Sequence, residues 1–152
     1  MTRRPLVVDA SVVVKWVVPE EHSGLARSLY RDCIRQGTPL ASPPHLLGEM
    51  VNALYQRLRT TDAAKHLSRT KVDRAVSRIL RVPFELHQPA DLYERALDLA
   101  ATHRLPGIYD ALYVVLAQML GAELWTADRR LLTALAGATP WVRDIASYPS
   151  VS

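Results

Sequence analysis

Apolar residues fall along this chain in two alternating patterns, short unbroken runs and longer stretches spaced by threes and fours, which are the signatures of buried strands and of helices. Pro5 to Val8 is a branched apolar run ended by Asp9, and predicts a strand. Ala10 to Val18, stopped by Pro19, is apolar apart from Ser11 and Lys15, and periodicity alone leaves it open between strand and helix. His22 to Gln36 carries Leu25, Leu29, Tyr30, Cys33 and Ile34 at helical spacing, with Gly37 in the position that ends helices. Thr38 to Ser42 predicts a second strand. Pro44 opens a helix reaching Leu58, with Leu46, Met50, Leu54 and Leu58 in one line. Asp62 to Leu80 predicts a further helix with a sparse apolar face, Val82 to Leu86 a third strand, and Pro89 to His103 another helix. After Pro106 and Gly107, Ile108 to Leu120 is apolar almost all round, which is the pattern of a buried helix. Ala122 to Thr126 predicts a strand, Asp128 to Leu135 a short helix, and Trp141 to Ile145 a fifth strand. Strands separated by helices, with connections too long for hairpins, predict an α/β fold: a parallel sheet of four to five strands covered by helices on both faces.

Composition narrows this picture. A chain of 152 residues, 49% hydrophobic and 22% charged, is the size and make-up of a single globular domain, taken as residues 1–152. Leu6 to Val18 and Leu112 to Leu120 are interrupted by Asp9 and Lys15 or by Gln118 and are too short to span a bilayer. The basic start Met1 to Arg4 is followed by an apolar run that carries Asp9 and lacks a small-residue cleavage site, which argues against a secretory leader. A single cysteine, Cys33, leaves no intrachain disulfide and reads as inert packing, and together these features predict a cytoplasmic protein. The net charge of +4 is uneven. Between Arg57 and Arg81, eight basic residues face Asp62 and Asp73 alone, an excess of +6 in a chain whose remainder is slightly acidic. Such a segment is either a solvated face or a contact for a polyanionic partner, with Arg69, Arg74 and Arg78 the candidate side chains.

Four acids stand out from the surface background. In a parallel sheet the reacting site lies beyond the carboxyl ends of the strands, and Asp9 and Asp128 follow the Leu6–Val8 and Leu124–Thr126 runs. Asp110 sits one turn into the apolar helix, held either by the helix N-terminus and its amides or by a cation. Glu49 shares a face with Asn52, Ala53 and Gln56, opposite the apolar stripe of its helix, and that face meets either bulk water or a cleft. Converging carboxylates repel one another unless a cation neutralises them or protons are retained. Oxygen donors suit Mg2+ or Mn2+, whereas zinc would want His or Cys. His22, His45, His66, His87 and His103 are scattered at no ligand spacing and read as surface or satisfied core residues. The chain has no GxSxG elbow, no GxxxxGK loop and no GxGxxG turn, so triad hydrolases, nucleoside triphosphatases and dinucleotide enzymes lack their parts. A carboxylate-held metal suits phosphodiester hydrolysis. Two rivals stand beside it: a module that only binds RNA or protein, and a phosphotransfer enzyme with a strand-end aspartate nucleophile. The latter wants a second aspartate two residues on, where this chain has Ser11.

The segments Val7-Val8-Asp9-Ala10-Ser11, Lys15-Trp16, Pro19-Glu20, Glu49 with Asn52-Ala53-Leu54, Tyr109-Asp110-Ala111 and Thr126-Ala127-Asp128 together resemble the PIN-domain proteins of VapC type, the toxins of VapBC toxin–antitoxin pairs. The resemblance runs from about Val7 to Ile145. It implies a PIN-like three-layer α/β/α sandwich, and a metal site lined by Asp9, Glu49, Asp110 and Asp128. Ser11 and Thr126 match positions that assist through their hydroxyls; Ser11 also reads as a helix N-cap and Thr126 as an ordinary strand residue. It further implies a Mg2+- or Mn2+-dependent endoribonuclease acting on single-stranded or looped RNA, a homodimer, and inhibition by a small VapB-type antitoxin. No further acid follows closely behind Asp128, so a fifth carboxylate and a second metal are unassigned.

Overall fold

The computed structural model describes residues 3–150, which leaves Met1 and Thr2 of the basic start outside the described residues. Five strands form one sheet: β1 (Leu6–Val8), β2 (Leu40–Ser42), β3 (Glu85–Leu86), β4 (Leu124–Thr126) and β5 (Val142–Asp144), in the spatial order β3-β2-β1-β4-β5. All four pairings are parallel. The central strand is therefore β1, and Val7 and Val8 are fully buried, as a strand covered on both faces requires. The edge strand β3 takes only Glu85 and Leu86 of the expected Val82–Leu86 run, and both residues are exposed.

Among the described residues seven α-helices flank the sheet: α1 (Ala10–Val17), α2 (Ser23–Gln36), α3 (Leu46–Arg59), α4 (Arg69–Leu80), α5 (Leu92–His103), α6 (Ile108–Leu120) and α7 (Arg129–Leu135). The ambiguous run after Asp9 is thus helical, since Asp9 caps its N-terminus and β4, not the chain's next segment, supplies the neighbour of β1. Strand order reverses direction at β1, so right-handed crossovers place the connecting helices on opposite faces. α6 packs on β1 and β4, and α5 packs on α6 through Leu92, Ala96, Ala111, Leu112, Val115 and Leu116. α1 packs against α2, α3 and α4. The result is the three-layer α/β/α sandwich the sequence pattern predicts. Among the described residues no helix is long and apolar enough to cross a membrane. Cys33 is buried in the main core, and burial pushes its thiol up to about 11, which keeps it protonated and unreactive at neutral pH.

One helix also differs from expectation. The basic helix predicted from Asp62 begins only at Arg69. Asp62 instead folds its carboxylate back onto the Ala64 N–H (3.0 Å), and the Ser68 side chain accepts from the Lys71 N–H (3.3 Å), so both polar residues are turn and cap formers. The intervening loop is tied down by the Leu67 N–H, which donates to the Arg57 carbonyl (3.0 Å). Arg57 itself belongs to a half-buried ionic bridge between helices: Lys15 Nζ donates to Glu20 Oε1 (3.0 Å), and Arg57 Nη2 donates to Glu20 Oε2 (2.6 Å). This bridge fixes the far end of α3 against α1.

Because Ser68 starts α4, Ser68→Ala should destabilise the protein by about 1 kcal/mol. Amide hydrogen exchange should quicken first in Arg69 to Val72, and unchanged protection there would show that the helix start has another anchor.

Candidate active site

The parallel pairing of β1 with β4 brings their carboxyl ends side by side, with Val8 opposite Trp125. Asp9 leaves β1 as the N-cap of α1 and its side chain accepts from the Val12 N–H (3.3 Å). It is almost fully buried. Both carboxylate oxygens are held by hydroxyls: Ser11 Oγ donates to Oδ1 (2.5 Å) and Thr126 Oγ1 donates to Oδ2 (2.5 Å). Each hydroxyl in turn accepts a backbone N–H of the β4–α7 loop, Ser11 from Ala127 (2.8 Å) and Thr126 from Asp128 (3.0 Å). With one lone pair of each hydroxyl taken by an N–H, its own hydrogen is left to point at the carboxylate. Asp9 is therefore oriented by the loop that carries Asp128.

Asp128 caps α7 and accepts the Arg130 and Leu131 N–H groups through Oδ1 alone (3.0 and 3.1 Å), which leaves Oδ2 outside the cap. Asp110 stands in the first turn of α6, whose N-terminus favours negative charge. The helix is buried from Ala111 to Ala117, yet its first turn is open, with Tyr109 60% exposed. The expectation of an entirely enclosed helix is corrected there: Asp110 borders a cavity. From α3, Glu49 faces the same place, while Leu46, Met50 and Leu54 of that helix are fully buried on its other side. The polar strip of α3 thus meets a cleft. Glu49 is anchored by Tyr113 Oη, which donates to Oε1 (3.2 Å) from one turn beyond Asp110 on α6.

Asp9, Glu49, Asp110 and Asp128 open into one cavity of about 230 Å³, lined also by Ala10, Ser11, Val14 and Ala53. Burial raises the Asp9 carboxyl from its ordinary 3.8 to about 7, against the pull of the Ser11 and Thr126 hydroxyls and with a push from Asp110. Burial likewise raises Glu49, with Asp110 and Asp128 adding repulsion, and raises Asp110, with Asp128 adding to it. Among the described residues no three His, Cys, Asp or Glu side chains are gathered so as to hold an ion unaided. The donor set still fits a hard divalent cation, because such an ion keeps several waters and takes one or two carboxylates together with substrate oxygens. The raised carboxyls are the electrostatic counterpart: burial first, and repulsion among the acids second, make their negative charge costly, and a cation would offset that cost.

Two residues of this neighbourhood lie outside the expected set. His45, read from its spacing as a surface or satisfied core residue, packs between Tyr109 and Tyr113 with its Nε2 buried and without a hydrogen bond, 3.9 Å from Glu49 Oε2. Tyr113 reads as core from sequence and is fully buried, yet its hydroxyl carries Glu49. The one available signal was spacing, His45 lying four residues before Glu49 and Tyr113 three after Asp110 on their helices. The basic residues divide differently from expectation. Arg69 pairs with Asp73 on the surface of α4 (2.9 Å), Arg74 is exposed, and Arg78 lines a separate pocket with Trp16, Arg27 and Tyr30. None of the three reaches the acids' cavity. Arg57, Arg59 and Lys65 instead line a cleft of about 480 Å³ with Gln56, Thr60 and Thr61, and this cleft shares Ala53 with the acidic cavity.

Comparison with known proteins places the chain in a family. The model of the PIN domain matches residues 6–137. A protein of Pyrobaculum aerophilum named ribonuclease VapC3 is 32% identical over 131 residues, covering 83% of this chain and 91% of that protein. A ribonuclease VapC3 of Mycobacterium tuberculosis is 33% identical over 131 residues, covering 85% of this chain and 86% of that protein. Among solved structures, one from Pyrobaculum aerophilum superposes with a TM-score of 0.64 at 22% identity, over 94% of this chain and 92% of that one. Mycobacterium tuberculosis VapC20, described as a sarcin-ricin loop cleaving toxin, superposes with a TM-score of 0.61 at 20% identity, over 85% of this chain and 94% of that one.

The buried carboxyl of Asp9 dictates a pH dependence opposite to that of ordinary salt-bridged acids. Its folded value, about 7, lies above its unfolded value near 3.8, so stability is full below the unfolded value and is lost as pH rises through the folded one. In EDTA, Asp9→Asn should be more stable than wild type near pH 8 by on the order of 2 kcal/mol, with the gap closing toward pH 5. Urea unfolding at both pH values measures it; a variant less stable than wild type near pH 8 would make the Asp9 charge a net support of the fold.

Proposed function

We propose that this chain, which belongs to the PIN-domain family, is a Mg2+-dependent endoribonuclease, with Mn2+ as a substitute, and the toxin of a toxin–antitoxin pair. One observation carries the reading: four carboxylates from four separate stretches of chain open into a single cavity at the carboxyl ends of β1 and β4. The names of the VapC3 relatives support the ribonuclease activity. Asp9, Asp110 and Asp128 would hold the ion, with Glu49 beside it. When bound, the ion supplies charge neutralisation at the phosphate and a lowered pKa for the attacking water.

The protein's own residues account for the rest. Ser11 and Thr126 keep the Asp9 carboxylate in one orientation through their paired hydrogen bonds. Glu49, with its proton affinity raised by burial and its position set by Tyr113, takes a proton from water as the water oxygen attacks phosphorus. The bond from phosphorus to the leaving ribose oxygen breaks, and that oxygen departs with the electron pair and is protonated from solvent. RNA must approach an acidic centre, and the Arg57, Arg59 and Lys65 cleft next to it provides the opposite charge. Arg69, Arg74 and Arg78 are at most weaker, more distant RNA contacts. A homodimer and a small VapB-type antitoxin belong to the same reading.

Asp128→Asn and Glu49→Gln should each lower cleavage of a structured RNA by at least about a hundredfold while RNA binding persists. EDTA should abolish cleavage and Mg2+ restore it. Binding with no metal-dependent cleavage would assign the chain to the RNA- or protein-binding alternative. Arg59→Gln with Lys65→Gln should weaken RNA binding for every sequence and shallow the logarithmic salt dependence by roughly 2. A salt slope equal to wild type would remove the cleft from the RNA path.

A further inference from the structure

A second cavity, of about 500 Å³, adjoins the acidic one on its other side and shares Glu49 with it. It is lined by Pro44, His45, Gly48, Glu49, Asn52 and Tyr109. We propose that this cavity is a nucleobase pocket: the base of a nucleotide next to the cleaved bond stacks on the Tyr109 ring and is read by the Asn52 amide. The proposal rests on the ribonuclease reading above and adds the determinant of nucleotide preference.

Four observations carry it. Tyr109 immediately precedes Asp110, and it is 60% exposed, whereas Ala111 to Ala117 of the same helix are buried. The ring is nonetheless placed by the protein. It tilts against His45 at 5.2 Å between centroids, and His45 meets the buried Tyr113 edge-on at 4.8 Å. An aromatic ring fixed by its neighbours and open to solvent is a stacking platform that fits any base. Asn52 is exposed one turn along α3 from Gly48 and offers both a donor and an acceptor, the combination that pairs with a base edge.

Gly48 supplies an independent argument. It is the third residue of α3, where glycine weakens a helix relative to alanine, and a Cβ placed there would meet nothing within 4 Å. Packing within the protein gives no reason for the missing side chain. Its absence does keep the floor of the cavity open. The charge distribution selects the part of the nucleotide that fits. No Lys or Arg lines this cavity, so it offers a phosphate no fixed cation, whereas the cationic cleft lies toward the other end of α3. A neutral aromatic ring suits this side and the sugar–phosphate chain suits the other.

The test uses short single-stranded RNAs carrying 2-aminopurine beside the cleavage site, first in EDTA for binding and then in Mg2+ for cleavage. Wild type should quench the fluorophore by stacking. Tyr109→Leu, which keeps bulk but not the π-face, should lose the quenching and raise KM at least tenfold with kcat within a few-fold. Asn52→Ala should flatten the preference among the four bases at one position. Gly48→Leu should melt at or above the wild-type temperature while losing quenching, an opposition that a purely structural role would not produce. Quenching and cleavage pattern equal to wild type in Tyr109→Leu and Gly48→Leu would overturn the proposal. A change of sedimentation mass in Tyr109→Leu with RNA binding unchanged would also overturn it, because the exposed ring would then be a protein contact. If wild type quenches in EDTA but cuts nothing in Mg2+, the pocket stands and the ribonuclease reading fails.

Discussion

The orientation of one buried carboxylate organises this protein. Asp9 ends the central strand, starts α1 and receives a hydroxyl on each oxygen, and those hydroxyls are themselves oriented by the N–H groups of Ala127 and Asp128. The cluster therefore couples the two strands at the middle of the sheet to the two helices that follow them. Such a network has a cost as well as a role. Burying an acid raises its proton affinity, and the hydrogen bonds only partly offset this. The fold retains a charge centre that a merely stable sheet would fill with an apolar side chain, which is the pattern of a site maintained for chemistry.

Both strand-end aspartates do two jobs. Asp9 and Asp128 are helix N-caps, and the same two residues line the acidic cavity. The structural and the chemical explanations of such residues are thus not rivals. Asp128 caps through Oδ1 only, so its second oxygen is free of that duty. On α6 and α3 the division is between residues: Tyr113 holds, and Glu49 is held.

Much of this arrangement was legible in the sequence because its signals are local. Short apolar runs each closed by an aspartate identify β1 and β4 and the edge at which Asp9 and Asp128 emerge, and the limits of α6 follow from Gly107 and Gly121. Glu49 was not legible by itself, since a helical wheel shows a polar face but not what stands across from it, and α6 stands across from it only in three dimensions. Tyr113 was hidden for the converse reason, an apolar body that buries and a hydroxyl whose partner is 64 residues distant. The late start of α4 was missed because Asp62 and Ser68 are as compatible with a solvated helix face as with a turn and a cap. The grouping of Arg57, Arg59 and Lys65 away from Arg69, Arg74 and Arg78 depends on that same misplaced start, for the loop before α4 is what folds Lys65 back beside Arg57.

Gly48, Glu49, Ala53 and Arg57 succeed one another along α3, a helix without a break from Leu46 to Arg59. Helical geometry then acts as a ruler: each residue advances about 1.5 Å and turns about 100°, so the cavities along α3 stand in a spacing set by residue count. Point substitutions leave that ruler intact. Adding or removing a single residue between Gly48 and Arg57 would rotate one cavity away from the next. Viable diversity among chains of this design is expected to enter by substitution within α3, not by changes in its length.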